Sequence, residues 1–182
     1  AHCVRCPPRG RSAASGGRAP LMGPLAVIAL VGRMVLIFSL LLLVPLAFSL
    51  VLRDGAEDAF LGATFITAVT GLVMSALTRR FRRELQPRDG FLLVGLTWAV
   101  LPLFGALPLQ MALPGLSFTD AFFESMSAFT ATGATALAGL DRLPVSVNVW
   151  RCFLQFVGGL GIIVLAVAIL PLLGVGGSQL FK

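Results

Sequence analysis

SFTDAFFESMSAFTATGATALAGLDRLP, residues 117–144, is the stretch that a plain bundle of spanning helices does not absorb. Its first part has helical character. Ser117 followed three residues later by Asp120 resembles a capping box, and Asp120 and Glu124 place negative charge near the start. Phe122, Met126 and Phe129 share one face at i, i+4 and i+7, while Ser125, Ser127 and Thr130 keep the others small or polar. A helix over 119–129 is therefore expected. At about 1.5 Å per residue it is roughly 16 Å long, half of a hydrocarbon core. The whole segment is also a poor span, because Asp120 or Glu124 at mid-bilayer costs on the order of 3 kcal/mol each. An external loop helix and a re-entrant hairpin remain.

The residues after this helix favour the hairpin. Residues 130–135, TATGAT, are small and hydroxyl residues around one glycine. Non-helical backbone at membrane depth survives only when buried in protein or lining a wet cavity. Its exposed carbonyls suit a dehydrated monovalent cation, and Gly133 can adopt φ > 0 so that successive carbonyls share a direction. The carboxyl end of the preceding helix adds partial negative charge there. The plainer reading, an ordinary helix-to-loop transition, competes on motif alone.

The flanks are hydrophobic runs. Residues 34–52 carry no charge between Arg33 and Arg53, and 59–78 is a similar run ending at an arginine cluster. Uncharged stretches cover 90–119 and 152–181. Pro102, Pro108 and Pro114 with Gly105 and Gly115 suggest that the third helix stops near Leu109. Pro171 with Gly174, Gly176 and Gly177 marks the end of the fourth. The expected helices are 25–52, 58–78, 91–110 and 149–172, an all-α membrane protein of four spans plus one re-entrant pore helix. Pro45 inside the first span is tolerable where neighbours satisfy the freed carbonyl.

Composition agrees. Charged residues are 12% of 182, about half the roughly 25% usual in globular proteins, which leaves too few for a water-facing surface. The net charge of +6 could suggest nucleic acid, but most of the basic residues flank hydrophobic runs, so nucleic-acid binding is not expected. Loop 79–90 holds five arginines against Glu84 and Asp89, and loop 53–58 holds Arg53 against Asp54, Glu57 and Asp58. The former is read as cytoplasmic and the latter as external, with both chain ends inside. Arg142 and Arg151 fall outside and weaken that count without reversing it.

Residues 1–21 are rich in Arg, Pro, Gly and Ser without apolar period, so a disordered, non-native tail is expected, with Met22 as the natural start. Cys3, Cys6 and His2 sit in that tail without the second ligand pair a zinc site needs, and Cys152 reads as a small apolar residue. No nucleophile elbow, phosphate loop, HExxH or paired intramembrane aspartates occur, so an enzyme is not expected. The domain division is 22–78 for a first hairpin, 79–90 for the basic loop and 91–182 for a membrane-pore-membrane unit.

The stretches TRRFRRELQPRDGFLLVGLTW, FGALPL, TDAFFESMSAFTATGATAL, LDRLPVSVNVWR and QFVGGLGIIVLAVAILPLLGVGGSQLF occur in order between residues 78 and 181. Together they resemble the first pore-forming repeat of the Trk-type potassium uptake proteins, the TrkH membrane subunits of the Trk, Ktr and HKT superfamily. The resemblance implies four such repeats around one pore, each giving a filter segment centred on a glycine, here Gly133. Backbone carbonyls of Thr130, Ala131, Thr132, Gly133 and Ala134 would then select potassium, with the ion at Thr132 and Gly133. Ala131 stands where family members often carry a hydroxyl, which removes a side-chain contribution but not a backbone one. Only one repeat is present, without the gating loop of a later repeat.

The resemblance carries further expectations. They are a bacterial inner membrane, the remaining repeats as partners, a homodimer, and a cytosolic nucleotide-binding ring facing loop 79–90. Around the filter, Gln155, Gly158, Gly159 and Gly161 would let the pore helix or a neighbouring repeat approach closely. Arg151 has Asp120, Glu124 and Asp141 as candidate partners. The competing readings are a polytopic membrane enzyme or assembly factor with a non-pore external helix, and a small channel built from four copies.

Overall fold

The computed structural model describes residues 22–78 and 87–172. Within them lie six α-helices: α1 Met22–Leu41, α2 Leu43–Leu52, α3 Glu57–Leu77, α4 Pro87–Ala112, α5 Phe118–Phe129 and α6 Val145–Leu172. A single 3-10 turn, Leu140–Arg142, leads into α6. Four stretches are long and apolar enough to cross a membrane: Val27–Leu52, Glu57–Leu77, Asp89–Ala112 and Val145–Leu165. The expected tail 1–21, most of the basic loop, and Gly174, Gly176, Gly177 and Lys182 lie outside the described residues.

The first span is interrupted rather than continuous. Leu42 separates α1 from α2, three residues before the buried Pro45. Pro45 has no N–H to give Leu41 and its ring crowds that carbonyl, so the helix opens on the preceding turn. The hydrogen bonds Leu42 N–H to Phe38 O and Leu46 N–H to Leu42 O, both 3.3 Å, carry the chain across.

The third helix passes Leu109 and holds both Pro102 and Pro108. The prolines free the carbonyls of Trp98 and Phe104 without breaking α4, and one turn before Pro108 the helix is also tied to α6, where the indole Nε1 of Trp150 donates to the Gly105 carbonyl at 3.0 Å. α6 starts at Val145, four residues earlier than expected, because the Pro144 carbonyl accepts from Val147 and Asn148 at 3.1 and 3.3 Å.

α1 lies against α3 and α4, and α5 is held between α4 and α6. The α1–α3 approach needs small residues: a Cβ on Gly71 would stand 2.7 Å from Leu36 N, and one on Gly32 2.8 Å from Met74 Cβ. An aromatic cluster fills the space beneath the end of α5. Phe38 meets Phe129 and Trp150 edge-on, with ring centroids 6.4 and 5.6 Å apart, and Trp98 meets Phe129 at 4.8 Å. Phe65, Leu77 and Val164 instead point outward and are largely exposed, as expected for a surface that meets lipid.

One polar joint ties the first hairpin to α6. Asp54 accepts from the Ser49 hydroxyl at 2.5 Å, from Ala56 N–H at 3.3 Å and, through its other oxygen, from Ser146 N–H at 2.8 Å. Burial works to raise the Asp54 pKa, but the hydrogen bonds from Ser49, Ser146 and Ala56 outweigh it and hold the carboxyl below its ordinary 3.8.

Candidate functional site

α5 begins as its sequence dictates. Ser117 is the N-cap, its hydroxyl accepting from Asp120 N–H at 3.1 Å and donating to the Asp120 carboxylate at 2.7 Å. This settles Asp120 locally, so it is not the partner of Arg151. At about 18 Å, twelve residues remain too short to span. From Ala131 to Ala136 the chain is non-helical and exposed.

The conformation of that segment alternates. Thr130 has φ −84°, Ala131 φ +56° and Gly133 φ +75°, while Thr132 between them keeps a negative φ. The amides all turn toward α5: Ala131 N–H reaches Ala128 O at 2.9 Å, and Thr132 and Gly133 N–H converge on Ser127 O at 2.9 and 3.4 Å. In a trans peptide the N–H and the preceding C=O are antiparallel. The carbonyls of Thr130, Ala131 and Thr132 therefore point away from α5. No donor among the described residues reaches them or the carbonyl of Gly133.

Ala134 differs from its neighbours. Its carbonyl accepts the Ser127 hydroxyl at 2.6 Å and is turned back toward α5. Of the five carbonyls expected to face an ion, this one is already engaged in bracing the segment. The hydroxyls of Thr130 and Thr132 pair with each other at 2.8 Å.

Glu124 anchors the far end. It is 1% exposed, and its Oε1 receives both Nε and Nη2 of Arg151 from α6. Its Oε2 accepts from the Thr135 hydroxyl and from Ala136 N–H, each at 3.0 Å. The three partners that the sequence left open for Arg151 reduce to Glu124. A cavity of about 60 Å³ lined by Glu124, Ala128, Gly133, Ala134, Arg151, Cys152 and Gln155 lies behind the segment.

The glycines of α6 separate into different roles. A Cβ on Gly158 would stand 1.9 Å from Phe129 O, so α6 crosses the end of α5 at this point. Gly161 faces Trp98 at ordinary contact distance, and a Cβ on Gly159 would meet nothing within 4 Å. The Gln155 amide nitrogen is 3.8 Å from where a Cβ on Gly133 would stand. The bracing roles of Ser127 and Thr135 are not evident from sequence. Ser127 lies three residues after Glu124, hence on the same helix face, and that spacing is the signal that could have found it.

Known proteins are similar to this chain in sequence and fold. The model of a family described as TrkH, cation transport protein, matches residues 56–182. The Trk system potassium uptake protein TrkH of Vibrio parahaemolyticus is 49% identical over 158 residues, covering 86% of this chain and 33% of its own. Its namesake from Escherichia coli K12 is 48% identical over the same length, with the same shares. The crystal structure of the potassium transporter TrkH from Vibrio parahaemolyticus superposes with a TM-score of 0.78 at 47% identity, covering 85% of this chain and 33% of that one. The chain thus spans about a third of the length of the curated relatives it matches.

Proposed function

We propose, given that this chain belongs to the TrkH family of cation transport proteins, that it supplies one quarter of a potassium-selective filter in a potassium uptake subunit. The family is one of transporters, so the chain is a multi-pass membrane protein and not an enzyme. The observation that carries the filter reading is the alternation of φ along 130–133, with amides on α5 and carbonyls directed away from it. Carbonyl oxygens presented in this way replace the hydration shell of a monovalent cation, and the carboxyl end of α5 adds partial negative charge.

Thr130, Ala131, Thr132 and Gly133 are the ligating positions in this reading, with the ion nearest Thr132 and Gly133. Ala134 contributes by holding the segment to Ser127. The remaining filter quarters come from later repeats of a longer chain. The relatives, of which this chain covers a third, support that arrangement. α5 and residues 130–135 form a re-entrant hairpin entered from the external side, with loop 79–90 cytoplasmic and facing a nucleotide-binding ring, in a homodimer of a bacterial inner membrane.

The test is Gly133→Ser in the full-length transporter. Its Cβ meets no atom closer than 3.8 Å, so the cost is conformational: a left-handed residue with a side chain costs about 1–2 kcal/mol. The expected result is impaired potassium uptake or weakened discrimination against sodium in cells lacking their own uptake systems. Unchanged growth on low potassium with unchanged sodium flux would reject the filter.

A further inference from the structure

The non-helical segment is secured almost wholly by two residues of one α5 face. Ser127 holds residues 132–134. Glu124 holds 135 and 136, and Leu137 N–H donates to the Thr135 hydroxyl at 3.1 Å, so the bonding of this return stretch leads back to one carboxylate. That carboxylate has four acceptor directions, and all four are taken: two by Arg151, one by Thr135 and one by Ala136.

We infer that Glu124 is a specificity-determining positioning residue, a three-way tether by which Arg151 on α6 sets the position of the filter segment through Thr135 and Ala136. The inference rests on the filter reading above. Glu124 does not touch the ion. It fixes where residues 130–134 are held by clamping the chain immediately after them, as Ser127 clamps it from α5. Hydrogen bonds to a buried charged acceptor are the strong ones, so the segment gains rigidity that neutral partners do not provide. A filter that discriminates by carbonyl position loses discrimination when this clamp slackens, while ions still pass.

The geometry also separates this role from plain packing. Thr135 is exposed and fills no core, yet its hydroxyl is one of the four donors. A loss produced by removing that hydroxyl, and recovered by restoring it on a smaller side chain, cannot come from side-chain volume.

The experiment compares Thr135→Val, Thr135→Ser, Glu124→Gln and Gly133→Ser in the full-length transporter, reading potassium against sodium uptake on membranes matched for protein content. Thr135→Ser is expected to keep the native ratio. Thr135→Val is expected to lower the ratio about threefold, and Glu124→Gln about tenfold, the range that lost hydrogen bonds span. Glu124→Gln combined with Thr135→Val should be no worse than Glu124→Gln alone, since both cut one tether. A native ratio in Thr135→Val, or equal loss in Thr135→Ser and Thr135→Val, overturns the inference, and both readings survive any failure of Glu124→Gln to fold. If only Gly133→Ser alters the ratio, the tether is wrong and the filter stands. If Gly133→Ser alters nothing, the filter reading itself fails.

Discussion

Ala131 holds a β-carbon at φ +56°, where that carbon crowds the carbonyl and the left-handed state costs about 1–2 kcal/mol. A β-branched residue there is far worse, because a second γ atom leaves no relaxed rotamer. Ala131→Gly and Ala131→Ser are therefore expected to preserve uptake, whereas Ala131→Val lowers it, measured as potassium-dependent growth at matched protein levels. Gly158 fails differently. Its Cβ would overlap Phe129 O, and overpacking of that kind costs about 1–3 kcal/mol or more, so Gly158→Ala should lower the thermal midpoint in detergent more than Gly159→Ala does. Much of the site's local chemistry was legible: the Ser117 cap and the Gly133 turn depend on residues a few positions apart. The Glu124–Arg151 pair was not, because 27 positions separate the partners and three carboxylates were equally eligible. Nor could GGLG reveal which glycine meets α5, since that depends on how α6 is rotated.

Asp54 shows how a loop residue orders two helices. It closes the loop after α2 and also caps the first turn of α6, where its charge favours the positive helix end. Its carboxyl pKa lies below the unfolded value of 3.8, so the stabilisation is complete above that value and fades as pH falls through the folded pKa. Thermal midpoints should therefore decline as pH falls below about 4 in the native protein and decline less in Asp54→Asn. At neutral pH that variant should lose about 1–3 kcal/mol, the usual cost of weakening hydrogen bonds to a charge. The four spans themselves could be read from apolar runs bounded by charge. The bounds at 52, 57 and 77 were legible within a residue, but the break in the first span, the ends of α4 and the start of α6 were not, because proline acts through context. Pro45 opens the chain at Leu42, whereas Pro102 and Pro108 sit inside an unbroken α4.

The same Asp54–Ser146 bond constrains the whole chain, because it brings the α2–α3 loop and the start of α6 together. The segment joining α4 to α5 must then end on that side, since α3 and α4 cross in opposite directions between them. This agrees with the parity drawn from the arginine counts, in which the loop rich in arginine lies opposite. Labelling tests the proposed orientation in cells. In the full-length protein freed of its native cysteines, Cys3, Cys6 and Cys152 among them, Asp58→Cys and Arg142→Cys introduce single thiols at exposed positions on the proposed external side. Gly90→Cys places one in the first turn of α4, where an added side chain meets nothing within 4 Å. A membrane-impermeant thiol reagent should label Asp58→Cys and Arg142→Cys in intact spheroplasts and reach Gly90→Cys only after permeabilisation. Labelling of Gly90→Cys alone in intact cells would invert the orientation and put the entrance of the hairpin in the cytoplasm. Labelling that split Asp58→Cys from Arg142→Cys would break the Asp54 joint as well, since the two positions flank it.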